Sequence, residues 1–402
     1  MGTVPPAAVA AVTEQESLNT MKSRSLLALT ASAMALPGLV PAVKADTPPT
    51  DTSLSYRISS YEEDDLPREY LLAGSRERYD ITIHQFQVVT PVGENYGLTF
   101  NTSYESMSGA SPWYAVAPFD GEQSIVMSGA TIHEERSDYN LGLRRYLNNG
   151  SVGVNVGASD ENDYESWNGG IDMERHFNND LTTLAGGFSY SSDDINPSDA
   201  ALFNRVTDEN KHTSSAFFSV SQIIDRNSLF QSSLNVTRHS GYLTDPYKLG
   251  DARPDSRTQI AWSNAYRRYL TNLDAALHLD ARLYDDNFGI NSLTLDVSWH
   301  QNVGDTWQVI PRIRYYSQSQ AGFFTPVNDF SLGGVFNSSD YRLSAYGALS
   351  GGLQVQTTLD DFTVSFALER YVTDDSYSLF GGETSPAIVN FTRMSLGLGY
   401  RF

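Results

Sequence analysis

Cysteine is absent from the 402 residues, which removes disulfides, iron–sulfur clusters, thiolate zinc sites and cysteine catalysis in one step. Basic charge is scarce: 27 Lys and Arg stand against 48 Asp and Glu, a net charge of -21. That balance repels phosphate backbones and excludes nucleic acid as a partner. After position 45 lysine is reduced to Lys211 and Lys248, so the basic chemistry there is arginine's, suited to bidentate pairing with carboxylates and with lipid phosphate. No run beyond that point approaches eighteen apolar residues, so no transmembrane helix is expected. Enzyme signatures are missing too. There is no Gly-x-Ser-x-Gly elbow, phosphate loop or dinucleotide fingerprint, and His133-Glu134 lacks a second histidine four residues on. His239, Ser240 and Asp245 are residue types a rim hydrolase would use, but neighbours on a strand point to opposite faces. Neither catalysis, nor a metal, nor a cofactor is expected.

What the chain has is 23 Tyr, 19 Phe and 30 Gly, a composition that suits strands joined by many turns. Its start reads as an address. Lys22 and Arg24 follow Met21, an apolar stretch runs from Leu26 to Val40, and Val43-Lys44-Ala45 puts small residues where a signal peptidase reads. The expected organisation is an upstream extension over residues 1–20, a signal peptide over 21–45 and one domain over 46–402.

That domain alternates with period two. Leu273, Ala275, Leu277, Leu279, Ala281 and Leu283 share one face, and Asp274, His278, Asp280 and Arg282 the other. Leu293, Leu295, Val297 and Trp299 oppose Thr294, Asp296, Ser298 and His300; Phe362, Val364, Phe366 and Leu368 oppose Thr363, Ser365 and Glu369. Charge on the second face is unacceptable to a sandwich core, and ten to thirteen residues is the length that crosses a bilayer at a tilt. The pattern predicts sixteen strands, near 51–60, 77–90, 94–106, 134–147, 150–159, 165–177, 181–191, 211–224, 227–239, 256–270, 272–284, 290–302, 305–317, 340–357, 361–372 and 390–402. Tight turns rich in Asn, Asp and Gly alternate with long connections such as 107–133, 192–210, 240–255, 318–339 and 373–389. Residues 125–132 also alternate, and are assigned to a structured outer loop because a seventeenth strand would break the parity. The fold class is therefore all-β: a single transmembrane antiparallel β-barrel with short periplasmic turns and long outer loops, in the outer membrane of a Gram-negative bacterium. A first strand by Leu54 leaves no room for a plug domain ahead of it.

The final strand carries a separate signal. Ser395, Gly397, Tyr400 and Phe402 occupy polar, glycine, aromatic and terminal aromatic positions, with Met394, Leu396 and Leu398 on the face of Tyr400 and Phe402. This resembles the C-terminal signal read by the outer-membrane assembly machinery, which is thereby an expected partner, alongside outer-membrane lipid and lipopolysaccharide.

The stretch Ser240-Gly-Tyr-Leu-Thr-Asp-Pro-Tyr-Lys248, with Arg253-Pro-Asp-Ser-Arg257, Pro311-Arg-Ile-Arg-Tyr-Tyr316 and Ser108-Gly-Ala-Ser-Pro112, resembles family 3570 of the domains of unknown function. The similarity covers most of the chain after residue 45. It implies an outer-membrane barrel without an assigned activity. It also implies a periplasmic redox context, with a flavin transferase and a thioredoxin-like protein encoded nearby, which makes periplasmic redox proteins candidate partners.

Sixteen strands enclose an aqueous interior, so passage of a small polar solute is the default expectation. Asp274, His278, Asp280, Arg282, Asp296, His300, Arg312 and Arg314 are the candidate luminal set. Two readings stand: a transverse field that orients a solute, or an ion-pair ladder that stiffens the wall. Cation selectivity would follow if the acidic surplus lines the mouth. In the resembled loop, Tyr242, Asp245, Pro246, Tyr247 and Lys248 form either a constriction or contact surface, or a well-packed loop. The alternative for the whole chain is a non-conducting scaffold or export partner whose loops close the lumen.

Overall fold

The computed structural model describes residues 47–117, 123–129, 132–328 and 335–402; the expected extension and signal peptide over 1–45 lie outside the described residues. Nineteen strands follow one another: β1 (Ser53–Glu63), β2 (Leu71–Ala73), β3 (Asp80–Val92), β4 (Tyr96–Gly109), β5 (Pro112–Val116), β6 (Ser124–Met127), β7 (Ile132–Leu147), β8 (Gly150–Glu161), β9 (Tyr164–Phe177), β10 (Thr182–Ile195), β11 (Glu209–Asp225), β12 (Ser228–Gly241), β13 (Ser256–Leu270), β14 (Ala275–Asp286), β15 (Asn291–Val303), β16 (Trp307–Gln318), β17 (Tyr346–Leu359), β18 (Phe362–Asp374) and β19 (Phe391–Arg401). Sixteen of them close into an antiparallel barrel in which each pairs with its neighbour in sequence, with β2, β5 and β6 left out as a separate three-stranded sheet. The seam joins β1 to β19 in register from Ser53↔Arg401 to Glu63↔Phe391. Every edge of the barrel strands is thereby satisfied, the condition for a β-structure in lipid.

The alternation read from the sequence is the alternation of the wall. Leu279, Leu283, Leu295, Val297, Phe366, Leu368, Leu396 and Leu398 are all exposed on the outer surface, an arrangement that makes sense against hydrocarbon and not against water. The opposite faces of the same strands carry Asp280, Asp296 and Glu369 inward. Tyr400 and Phe402 extend the outer apolar face, with the Tyr400 ring 4.5 Å from that of Phe362, while Ser395 and Gly397 face the lumen.

The number of barrel strands is as predicted, and the differences lie at their ends. Residues 272–274 do not belong to β14. Thr271–Leu273 is a 3-10 turn and Asp274 adopts the left-handed conformation at φ 47°, accepting from Tyr269 at 2.6 Å and Asn302 at 2.9 Å. Asp274 is therefore a turn residue at the short-turn end, not part of the luminal set, because an aspartate can hydrogen-bond its own turn where a strand would leave it exposed. Residues 340–345 do not belong to β17 either; Tyr341–Leu343 is a 3-10 turn capped by the Asp340 side chain. Of the alternating stretch near 125–132, residues 125–127 belong to β6, which pairs parallel with β2 and antiparallel with β5 outside the barrel, and Ile132 opens barrel strand β7.

Candidate functional site

Five long connections meet over one end of the barrel. The loop 242–255 joins β12 to β13, which stand half-way around the ring from β1 and β3, the strands that loop 64–79 joins. Contact between these loops means that they cross the mouth. The Tyr341 ring, on loop 319–345, has the Arg78 guanidinium of the first loop 5.1 Å from its centroid and the Lys248 ammonium of the other 5.9 Å away. Each cation sits within cation–π range. Loop 110–131 is stitched in by Asn328, whose side-chain oxygen accepts from Ala115 N at 2.8 Å and whose amide donates to Leu249 O at 3.2 Å. Leu249 N donates to Trp113 O and Lys248 Nζ to Pro112 O. Loop 375–390 joins through Ala387 O, which accepts from Arg78 Nη1 at 3.0 Å.

A charged knot fixes this cap. Asp340, fully buried, accepts from Arg342 Nε at 2.9 Å and from Arg253 Nη2 at 2.8 Å, with Lys248 Nζ at 4.0 Å. Arg342 also donates to Asp245 at 3.1 Å, and Arg253 to Asp251 at 2.8 Å. Burial alone would raise the Asp340 carboxyl, but Arg342, Lys248 and Arg253 together hold it well below the usual carboxylate range. Asp251 has burial as its leading influence and is pushed up. Burial, then the carboxylates of Asp245 and Asp251, push the Tyr242 phenol up to about 12. The same end of the barrel holds two apolar clusters, one of Leu66, Ala110, Ala115, Ile125, Met127 and Ala387, the other of Phe288, Ile290, Ala321, Phe324 and Leu343.

The resembled loop is thus the packed arm of the cap. Asp245 accepts from Tyr247 N at 3.0 Å and its carbonyl from Lys248 N at 3.2 Å, with Pro246 at the second position of the turn, where its fixed φ fits. The Tyr247 hydroxyl donates to the Asp163 carboxylate and accepts from Ser198 N. Asp245 is held by Arg342, and His239 hydrogen-bonds Thr213 at 3.0 Å and Gln259 at 3.2 Å, so the His239, Ser240 and Asp245 constellation is not assembled.

Below the cap the lumen is polar. His278 and His300 pack with ring centroids 3.9 Å apart, and Arg267 Nη2 meets Asp280 at 2.7 Å. Asp296 accepts from Arg312 Nε at 2.6 Å and Arg314 Nε at 3.0 Å. Arg282 lies over the Tyr284 ring at 5.8 Å. The acids and bases on β14–β16 therefore answer one another along the wall, and the difference in sign is between walls. From β13 to β19 and on to β1 the inward charges are Arg257, Arg267, Arg282, Arg312, Arg314, Arg393, Arg401 and Arg57 against Asp280, Asp286, Asp296, Glu369 and Glu63. From β4 to β9 they include Glu105, Glu134, Asp138, Glu161, Asp172 and Glu174 against Arg136 and Arg144, with Arg136 within 3.9 Å of Glu105, Asp138 and Glu161. The acidic wall also carries Gly142, Gly153 and Gly170, which with Arg144 and Asp172 line a depression of 310 Å³.

A family model described as "Protein of unknown function (DUF3570)" matches residues 26–392. The chain belongs to this family. A search of curated proteins finds no match. Among solved structures, a bacterial polysaccharide outer membrane secretin superposes with TM-score 0.50 at 9% identity, covering 87% of this chain and 98% of that one. CdiB from Acinetobacter baumannii gives 0.49 at 11% identity over 87% of this chain and 60% of its own. OpdK from Pseudomonas aeruginosa, solved with vanillate, gives 0.41 at 11% identity over 88% and 98%. The likeness to the secretin is one of fold alone, that of an outer-membrane barrel.

Sequence reasoning missed the residues that tie the DUF3570 cap. Asp340 and Arg342 fell inside a predicted strand, and Arg253 entered only through the resemblance. Arg57 and Arg393 alternate correctly with their neighbours, so the period that placed Asp296 and Glu369 inward could have placed them as well.

Proposed function

We propose that the chain is an outer-membrane channel with a closable outer mouth, passing a small hydrophilic solute through a charged lumen without energy coupling or catalysis. The observation that carries this reading is the combination of a sixteen-stranded wall lined by ionised side chains with a cap of loops tied over one end by a charged knot, loop-to-loop bridges and two small apolar clusters. A barrel that needed no aqueous interior would have no use for that polar inner face, which costs free energy wherever it is not wetted or paired. The cap supports regulation of entry because it meets the loops edge to edge and leaves the barrel ladder untouched, the kind of element that opens locally. Insertion through the assembly machinery, with lipid and lipopolysaccharide around the rim, belongs to the same reading.

Absence of native cysteine makes the test clean. Ala252 and Asn337 exchange backbone hydrogen bonds of 2.8 and 2.9 Å between two cap loops, a pairing with a Cα separation of about 5.5 Å that suits a disulfide. In planar bilayers, Ala252→Cys/Asn337→Cys protein should show openings when reduced and lose them when oxidised. The cap favours one other reading, a non-conducting scaffold or export partner for periplasmic redox proteins. Silence of the reduced protein, and also of a variant with Asp340 replaced, would transfer the assignment to it.

A further inference from the structure

The basic wall contains a notch. One cross-strand row on the luminal face reads Arg393 on β19, Glu369 on β18, Gly352 on β17 and Arg312 on β16. Gly352 contributes no side chain to that row. The nearest atoms to a Cβ built there would be Leu368 O at 3.4 Å and the Glu369 Cβ and Cα at 3.8 and 4.0 Å, ordinary contact distances at which a side chain could be placed. Arg312 and Glu369 flank Gly352, with Arg393 one strand beyond Glu369, so that the two arginines are about three strand spacings of ~4.8 Å apart at the backbone.

The charges around the notch do not balance. Arg314 is two residues above Arg312 on the same face, and Arg393 lies within electrostatic reach of both. Arg57 reaches over Gly397 into range of Arg393, and among the described residues it has no acceptor within hydrogen-bond distance. Among the described residues two carboxylates pair with members of this group. Asp296 takes Arg312 and Arg314; Glu369 takes Arg393 at 3.1 Å and Ser350 at 2.9 Å. A half-buried arginine cluster in which Arg57 has no acceptor among the described residues, beside a glycine that adds no side chain to the row, suits bidentate recognition of a planar or tetrahedral oxyanion.

We infer that the notch at Gly352, between Arg312 and Arg393, is a binding subsite for a small oxyanion, a carboxylate or phosphate group. The inference deepens the channel reading by naming the solute's charged end, and it reverses the expectation drawn from net charge alone. The acidic surplus lies on the opposite wall and in the loops, while this wall attracts anions. A solute with a carboxylate or phosphate at one end and a cation at the other would fit across the two walls.

Refolded, heat-modifiable protein in detergent should be titrated calorimetrically with inorganic phosphate and, separately, with succinate. Binding of either is expected, and the stronger of the two identifies the group. Arg312→Gln and Arg393→Gln should each weaken it by about tenfold or more, since a charge-assisted bidentate contact is lost. Gly352→Leu, which fills the notch without removing charge, should abolish it, and Arg267→Gln, outside the cluster, should leave it unchanged. An absence of binding by folded wild-type protein, or equal affinity in the Gly352→Leu variant, would overturn the subsite. Because the titration needs no conduction, a silent barrel that binds refutes the channel while keeping the site, and a conducting barrel that does not bind does the reverse.

Discussion

Asp340→Asn should open the cap without unfolding the barrel. The amide keeps the shape but leaves Arg253 and Arg342 facing each other without their shared anion, and Arg342 with Asp245 as its remaining carboxylate. Breaking a buried pair from one side costs about 3–5 kcal/mol, roughly a hundredfold or more in the population of open cap at 1.36 kcal/mol per decade. The strand ladder does not depend on Asp340, so the folded, heat-modifiable band should persist while single-channel openings become frequent and a protease cuts within loops 242–255 or 319–345. Unchanged openings together with unchanged protection would sink the assignment of the knot as the closure.

The same knot sets a pH response. Asp340 has a folded pKa depressed below its unfolded one, so its contribution is fully present above the unfolded value and fades only as pH falls through the lower, folded value. Asp251 has a raised pKa and the opposite sign, its contribution being greatest below the unfolded value and lost as pH rises. Acidification into the ordinary carboxylate range should therefore leave the cap closed, and opening should wait for markedly lower pH. Bilayer recordings across an acid series check this; openings that begin in the ordinary carboxylate range would contradict it.

The second large effect concerns Glu63 and Arg78, whose side chains are 0% and 2% exposed and meet at 2.8 Å. Arg78 also donates to Ala387 O, and its backbone oxygen lies 2.0 Å from where a Cβ on Gly109, at φ +123°, would stand. The arginine is thus clamped between the first two long loops and the last. Arg78→Met should destabilise the loop end by about 3–5 kcal/mol, because it strands the Glu63 carboxylate in an apolar setting beside Tyr61. Glu63→Leu/Arg78→Met should recover much of that loss, since no charge is then left buried alone. Urea titrations in detergent, followed by proteolysis of the loops, give the cycle. A double variant as damaged as the worse single would mean that the pair serves through Ala387 and its neighbours rather than through its own charges.

Period two is a local property, and it carried most of the architecture. Leu279 and Asp280 must face opposite sides wherever the strand is placed, so strand number, the apolar outer face and the inward direction of His278, Arg282, Asp296, His300, Arg312 and Arg314 are all legible in the sequence. Asp274 went astray because period two continues through a turn that the backbone leaves at φ 47°. An aspartate with Tyr269 and Asn302 in reach is better satisfied there than on a wall.

What only the tertiary structure decided is what lies between strands far apart in sequence. Arg253 and Asp340 are 87 residues apart, Arg78 and Ala387 309, and loop segments have no period by which one could be matched to another. The division of the lumen into a basic and an acidic wall is of the same kind. Each charge is placed inward by its own strand, but the sign of a wall depends on which strands become neighbours when β1 closes on β19, and that is a property of the closed ring rather than of any strand.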